Sequence, residues 1–204
     1  MKMTLRDAPT SLLKSARIIL FCLGVPLLAA PAIPGIENFY QLNDHVYRGA
    51  QPRSQGFDYL AKNGVKTVID LRERDDRSMA EERTVTAAGM RYVNVPMTGL
   101  TPPTDAEIAR ILSLLEDASA GPVFVHCKRG ADRTGAMIGA YRIHHDGWEG
   151  KHALDEAMSR GMSGFQIPRQ KYIRSFKMLG DAKPVMEASS KIPGENAVAA
   201  VAAQ

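Results

Sequence analysis

Two cysteines in 204 residues leave this chain nearly without thiols. Cys22 lies inside an apolar stretch near the amino end, so Cys127 stands alone in the body of the chain. A single cysteine there excludes an internal disulfide framework and any chemistry that needs partner thiols; Cys127 is better explained by reactivity. Metal-ligand spacing is missing as well. His45, His144, His145 and His152 read as surface residues, and neither metal nor other cofactor is implied. No internal repeat is present.

A long apolar run is also lacking. The stretch from Ile18 to Ala30 is shorter than the ~20 residues that a spanning helix needs. It follows Lys2, Arg6, Lys14 and Arg17 and ends at Ala30-Pro31-Ala32, which has the form of a secretory signal. Residues 1–32 are therefore expected to direct export, as a cleaved signal or as a retained amino-terminal membrane anchor. Cys22, directly after Phe21 in mid-run, argues against a lipoprotein cleavage site. With four basic residues and one acidic, Asp7, this segment holds +3 of the chain's formal +4. The remainder is close to neutral, and a nucleic-acid partner loses its main support.

What is present centres on one loop. Gly121-Pro122 precedes the apolar run Val123-Phe124-Val125, a buried strand. Ala136, Met137, Ile138, Ala140, Tyr141 and Ile143 then read as a buried helix beginning near Thr134. Between them lies His126-Cys127-Lys128-Arg129-Gly130-Ala131-Asp132-Arg133-Thr134-Gly135. A loop that feeds a helix N-terminus presents orphan N–H groups and the positive end of the dipole to an anion. Gly130 and Gly135 would let the backbone curl around that anion. A cysteine beside a helix N-terminus and a cation ionises readily and becomes a nucleophile. Arg133 has the planar fork that matches two phosphoryl oxygens, which a lysine lacks. Thr134 can donate its hydroxyl to the sulfur, and residues 128–133 together form the expected phosphate cradle.

HCKRGADRTG matches His-Cys-x-x-Gly-x-x-Arg-Ser/Thr. It resembles the active-site loop of the cysteine-dependent protein tyrosine and dual-specificity phosphatase superfamily. Val46-Tyr47-Arg48-Gly49-Ala50-Gln51-Pro52 and Val68-Ile69-Asp70-Leu71-Arg72 are similar to the compact, atypical dual-specificity members; the likeness covers roughly residues 37–180. The resemblance implies that Cys127 becomes phosphocysteine, that Arg133 binds phosphoryl oxygens, and that Thr134 assists thiolate departure. It also implies that His126 orients the loop from beneath and supports ready ionisation of the cysteine. Arg48 and Arg72 are conceivable contributors behind the site.

The family needs a general acid, and the sequence offers two candidates. Asp132 lies inside the loop, where some relatives carry Asp-Arg-Thr; its alternative use is a brace to Lys128 or Arg129. Asp105 lies in the segment where many relatives place the acid. However, Thr104 and Glu107 form a capping box before Ile108, Ile111, Leu112 and Leu115, which puts Asp105 in a first helical turn for dipole reasons alone. The reading favours Asp132. Asp75 and Asp76 are a third option and read as solvated charges. Lys128 and Arg129 add positive charge at the rim, which suits an acidic substrate.

The rest alternates strands with helices. Short strands are expected within 41–49, strands at 65–71 and 91–95, and helices at 54–63, 78–88, 104–119, 151–160 and 168–179. The fold class is α/β, a central mostly parallel sheet flanked by helices, with ligands at strand carboxyl ends. The expected organisation is 1–32 for targeting, 33–180 as catalytic domain and 181–204 as a loose Pro-, Ser- and Ala-bearing tail. The expected protein is an exported monomeric phosphatase of phosphotyrosine in proteins. Without insertions to deepen its cleft, it would accept phosphoserine and phosphothreonine too. A phosphoinositide or inositol polyphosphate phosphatase and a binding-only phosphate module are the alternatives.

Overall fold

The computed structural model describes residues 33–177. Residues 1–32, expected to direct export, and 181–204, expected to form a tail, lie outside the described residues, as does Leu179. Five strands form one sheet: β1 (Tyr40–Gln41), β2 (Val46–Ala50), β3 (Thr67–Asp70), β4 (Arg91–Asn94) and β5 (Val123–Cys127). Their order is β1-β2-β5-β3-β4, and only β1 runs antiparallel to its neighbour. The turn joining β1 to β2 is held by Asn43, whose Oδ1 accepts from the N–H groups of His45 (2.9 Å) and Val46 (2.7 Å).

Helices cover both faces, as the alternation predicts. On one face α1 (Ser54–Lys62) and α2 (Asp76–Ala87) bring Phe57, Leu60 and Val85 against Val68 and Phe124. On the other, α3 (Asp105–Glu116) and α4 (Asp132–His144) bring Ile108, Ile111, Met137 and Ile138 against Ile69, Val123 and Val125. Residues 134–143 of α4 are all buried, because α5 (Gly150–Ser159) and α6 (Ile167–Ser175) close over its far side. Each large apolar side chain sequestered this way contributes about 1.5–3 kcal/mol. Since side chains alternate along a strand, Phe124 and His126 face α1 and α2 while Val125 and Cys127 face α3 and α4. Adjacent residues of one strand thus serve opposite layers.

Local side-chain chemistry sets the helix ends. Thr104 and Glu107 form the expected capping box: Glu107 N–H donates to Thr104 Oγ1 (3.2 Å) and Thr104 N–H to Glu107 Oε2 (2.6 Å). Helix α2 begins at Asp76, ahead of the expected Ser78. Asp75 is its N-cap, accepting from Ser78 N–H at 2.8 Å, while Ser78 Oγ accepts from Asp75 N–H at 2.9 Å. Asp75 is therefore a structural cap rather than a free solvated charge. Helix α6 stops at Ser175; Phe176 turns extended and sets its ring 5.5 Å from that of Tyr172, against the core. Among the described residues, no helix is long and apolar enough to cross a membrane.

Candidate active site

The loop of residues 127–132 leaves β5 at the carboxyl end of the parallel strands. Cys127 lies opposite Ala50 of β2, and His126 opposite Asp70 of β3. Gly130 makes the return turn with φ +65°, and a Cβ there would stand 2.3 Å from the carbonyl of Gly49. Only glycine fits that approach. Gly135 has a different reason. It lies inside α4, its N–H bonded to the Ala131 carbonyl at 2.7 Å, and faces Ala157 and Met162. Its expected part in curling around an anion is corrected: it lets α5 pack closely.

The loop's carbonyl groups are gripped from outside. The Gly130 oxygen accepts from Arg48 Nη2 (2.5 Å) and Asn38 Nδ2 (3.0 Å), and the Arg129 oxygen from the same amide at 3.3 Å. The Lys128 oxygen accepts from Gln51 N–H at 3.4 Å. Turning carbonyls outward leaves N–H groups for the interior, which makes an anion-binding nest. Arg48 is 1% exposed, and burial brings its guanidinium down to about 10. Ala131 is the N-cap residue of α4 and offers only backbone to the loop.

Cys127 is 3% exposed. Burial pushes its thiol up, but the Thr134 hydroxyl, the N–H groups of Thr134 and Arg129, and the Arg133 charge outweigh that, and the thiol is held below its ordinary value. A cysteine merely buried among apolar side chains would shift the other way. Arg133 is half-buried, with Nη1 donating to the carbonyls of Leu71 (3.3 Å) and Met97 (3.4 Å). Those groups lie just beyond β3 and β4, so the sheet's own edge aims the guanidinium. Its Nε and Nη2 take no protein acceptor among the described residues, leaving a two-pronged edge for phosphoryl oxygens.

Asp132 is the first residue of α4, its Oδ1 accepting from Ser163 N–H at 2.8 Å and its Oδ2 from Arg129 Nη2 at 2.5 Å. The alternative brace to Arg129 is thus realised. Asp105 is exposed in the first turn of α3, beside the Thr104 cap. Lys128 and Arg129 are exposed at the rim, but Arg129 spends its charge on Asp132. Of the histidines read as surface residues, His145 and His152 are exposed and His45 and His144 half-buried.

Several residues around the site escape a reading by spacing. Asn38 clasps the loop from 91 positions away and also donates to the Arg160 carbonyl at 2.9 Å. Its φ of +50° is the only positive value at a non-glycine among the described residues. Arg169 of α6, 1% exposed, bonds Gln166 and donates through Nη2 to the carbonyls of Gly99 (2.9 Å) and Thr98 (3.4 Å). It pins the segment after β4 beside the loop. Behind β5, Asp70, Arg72, Glu81 and His126 form a buried charged cluster.

Comparison with known proteins decides the family. A family model described as DSP-PTPase phosphatase fused to NAD+ kinase matches residues 36–175. The dual specificity protein phosphatase TpbA of Pseudomonas aeruginosa is 36% identical over 165 residues, 75% of this chain and 72% of TpbA. The chain belongs to the dual-specificity and protein tyrosine phosphatase superfamily. A crystal structure of P. aeruginosa TpbA superposes with TM-score 0.61 at 31% identity, covering 75% of this chain and 92% of that one. The core catalytic domain of the PP-IP phosphatase SIW14 of S. cerevisiae shares the fold, with TM-score 0.65 at 22% identity over 74% of this chain and 90% of that one. The phosphatase acts on phosphate monoesters.

Proposed function

We propose that this phosphatase removes phosphoryl groups from phosphotyrosine in proteins, and from phosphoserine and phosphothreonine, through a phosphocysteine on Cys127. The observation that carries this reading is the thiol: buried, yet held toward its ionised form beside an unpaired guanidinium edge. The phosphoryl dianion seats in the amide nest against Arg133. The Cys127 sulfur attacks phosphorus in line, and the P–S bond forms as the P–O bond breaks. Thr134 Oγ1 is buried without a protein hydrogen-bond partner among the described residues and lowers the Cys127 thiol, so its hydroxyl is free to turn to the sulfur and stabilise the thiolate when it leaves. Most of the acceleration comes from groups that match transition-state charge, the nest and Arg133.

The proton donor is assigned to Asp132. A dianion entering the loop competes for Arg129 and frees Oδ2, which takes up a proton from solvent. The carboxylic acid of Asp132 gives that proton to the leaving oxygen, and in the second step the carboxylate takes the proton of the attacking water. Asp105 keeps its place at the start of α3.

The rim suits an aryl ester. Leu100 and Phe165, 56% and 87% exposed, sit on two segments, the first tied to α6 by Arg169 and the second to the loop by Asp132. A structure of TpbA in complex with pTyr is a neighbour at TM-score 0.61 and 30% identity over 74% of this chain and 91% of that one. The phosphoinositide and inositol polyphosphate reading rests on the basic rim of Lys128 and Arg129 and on Asp132, residues that the protein-phosphatase reading also uses, so the substrate separates the two. A binding-only module would need no reactive thiol. Export through residues 1–32 and action as a monomer complete the proposal, the former supported by the sequence of that segment alone. Turnover of matched phosphotyrosine, phosphoserine and phosphothreonine peptides tests the substrate class. Faster phosphotyrosine turnover with measurable rates on the other two supports it; activity on soluble phosphoinositides alone overturns it.

A further inference from the structure

The face of the sheet turned away from the phosphate loop carries charges that the chemistry above does not use. Asp70 ends β3, Arg72 follows it, Glu81 comes from α2 and His126 from β5, with side chains 0–10% exposed. Arg72 Nη2 donates to Asp70 Oδ2 and to Glu81 Oε2, each at 2.6 Å, and its Nε donates to Asp70 Oδ1 at 2.9 Å. The Tyr92 hydroxyl of β4 donates to Asp70 Oδ2 at 2.8 Å. The other oxygen of Glu81 lies 2.7 Å from His126 Nε2, and His126 Nδ1 lies 3.3 Å from the carbonyl oxygen of Cys127. The first of these approaches is bent, so it is an ion contact more than an aligned hydrogen bond. Ligand atoms of Asp70, Glu81 and His126 all fall within 4.8 Å of one another, the reach of a metal site. Arg72 already engages both carboxylates, so the cluster draws its cation from the chain.

Charge counting sets the state of His126. Two buried carboxylates against one guanidinium leave one negative charge over, and an unanswered buried charge is costly. Among the groups around the cluster, only the imidazole can answer it, because burial and Asp70 push the Tyr92 phenol up and keep it neutral. A carbonyl oxygen only accepts, so Nδ1 carries a proton. Nε2, 2.7 Å from a carboxylate oxygen, holds its proton through that charge rather than through an aligned hydrogen bond. The groups facing the ring are Glu81 of α2, Asp70 and Arg72 at the end of β3, and Phe124 of its own strand, 5.6 Å away. Gly49, opposite it on β2, adds no side chain. Burial works against the imidazolium, and Glu81 with Asp70 outweighs it.

We propose that Glu81 is a positioning residue of the phosphatase: anchored by Arg72, it keeps His126 as an imidazolium that donates to the Cys127 carbonyl and so fixes the first peptide of the phosphate loop. That peptide sets where the sulfur stands relative to the Arg129 and Thr134 N–H groups. The imidazolium one residue away also favours thiolate over thiol. Helix α2, which contributes nothing to the pocket, is thereby tied to the reactivity of Cys127. The inference rests on Cys127 being the reacting residue, and its test does not depend on turnover.

The experiment compares the pH dependence of Cys127 alkylation by iodoacetamide in the full chain and in Glu81→Gln, which keeps the shape and removes the charge. The alkylation midpoint is expected to rise by about one pH unit, making the reaction roughly tenfold slower at pH well below both midpoints while the alkaline plateau is unchanged. Glu82→Gln, altering the exposed neighbour that pairs with Arg74, leaves the profile as it was. A folded Glu81→Gln protein with the unaltered profile overturns the proposal. Should that variant fail to fold, nitrogen chemical shifts of His126 in the unaltered protein decide. Both ring nitrogens protonated near pH 7 supports the imidazolium; a neutral tautomer there overturns it. Wild-type turnover with an unshifted midpoint would sink this inference and leave the phosphocysteine reading standing.

Discussion

Arg72 and Arg133 stand on opposite faces of one sheet, and the difference between them separates holding from reacting. Arg72 has every charge answered: two carboxylates at 2.6 Å and a further bond to Asp70 through Nε. Arg133 has only two long bonds to backbone carbonyls, and its other edge is unclaimed by the described residues. A guanidinium satisfied by carboxylates is part of the framework. One aimed by backbone and left incomplete is waiting for an anion. The same contrast runs along β5, where His126 faces a closed cluster and Cys127, the next residue, faces the loop.

Substitution of the two arginines should separate stability from activity. Arg133→Lys keeps charge but loses the fork, so kcat/KM for an aryl phosphate is expected to fall roughly 10²–10³-fold with thermal stability nearly unchanged. Arg72→Met should do the reverse, costing about 3–5 kcal/mol in denaturant unfolding because Asp70 and Glu81 are left buried without their cation. Equal effects of both on both measurements would erase the distinction.

The two loop glycines sharpen it further. Gly130→Ala forces a Cβ to 2.3 Å from the Gly49 carbonyl and a side chain onto φ +65°. Expected are a loss above about 2 kcal/mol in unfolding and a collapse of turnover. Gly135→Ala meets only Met162 Cε at 3.0 Å and Ala157 Cβ at 3.3 Å, the first a flexible chain end. Helix propensity gains about 1 kcal/mol against that crowding, so stability and kcat should change little.

The aspartates form the next pair. Asp132→Asn should abolish the basic limb of the pH–rate profile on alkyl phosphates, and Asp105→Asn should keep it; the reverse result would move the acid to α3. The smallest expected effect is on stability against pH. His126 has a folded value raised above 6.5, so its contribution is complete below about pH 6.5 and fades as pH rises through that folded value. Asp70 is lowered from 3.8, mainly because Arg72 hydrogen bonds outweigh burial, so its contribution holds above that pH and is lost as pH falls through the folded value. Thermal melts should show a plateau between these limits that Glu81→Gln flattens on the alkaline side.

Much of the site was legible because its parts are contiguous. The strand, the loop and the helix N-terminus from His126 to Thr134 lie within nine residues, and their spacing is itself the geometry. The Thr104–Glu107 cap was legible for the same reason. The braces were not. Asn38, Glu81 and Arg169 each have a partner in or around the site that lies 45 to 122 positions away, and nothing local marks them as other than polar surface residues. Gly135 misled because a glycine near a loop has two uses, and tertiary packing with α5 chose between them. Asp75 misled because Asp-x-x-Ser caps a helix as well as Thr-x-x-Glu does.

The central claim is that the Cys127 sulfur carries the phosphoryl group between the two steps. Acid quenching during steady turnover of an aryl phosphate, followed by peptide mass analysis, reads this directly. The expected result is one phosphoryl adduct on the Cys127 peptide, with both adduct and turnover lost in Cys127→Ser. Steady turnover with no adduct at Cys127, or turnover that survives in Cys127→Ser, would contradict the account.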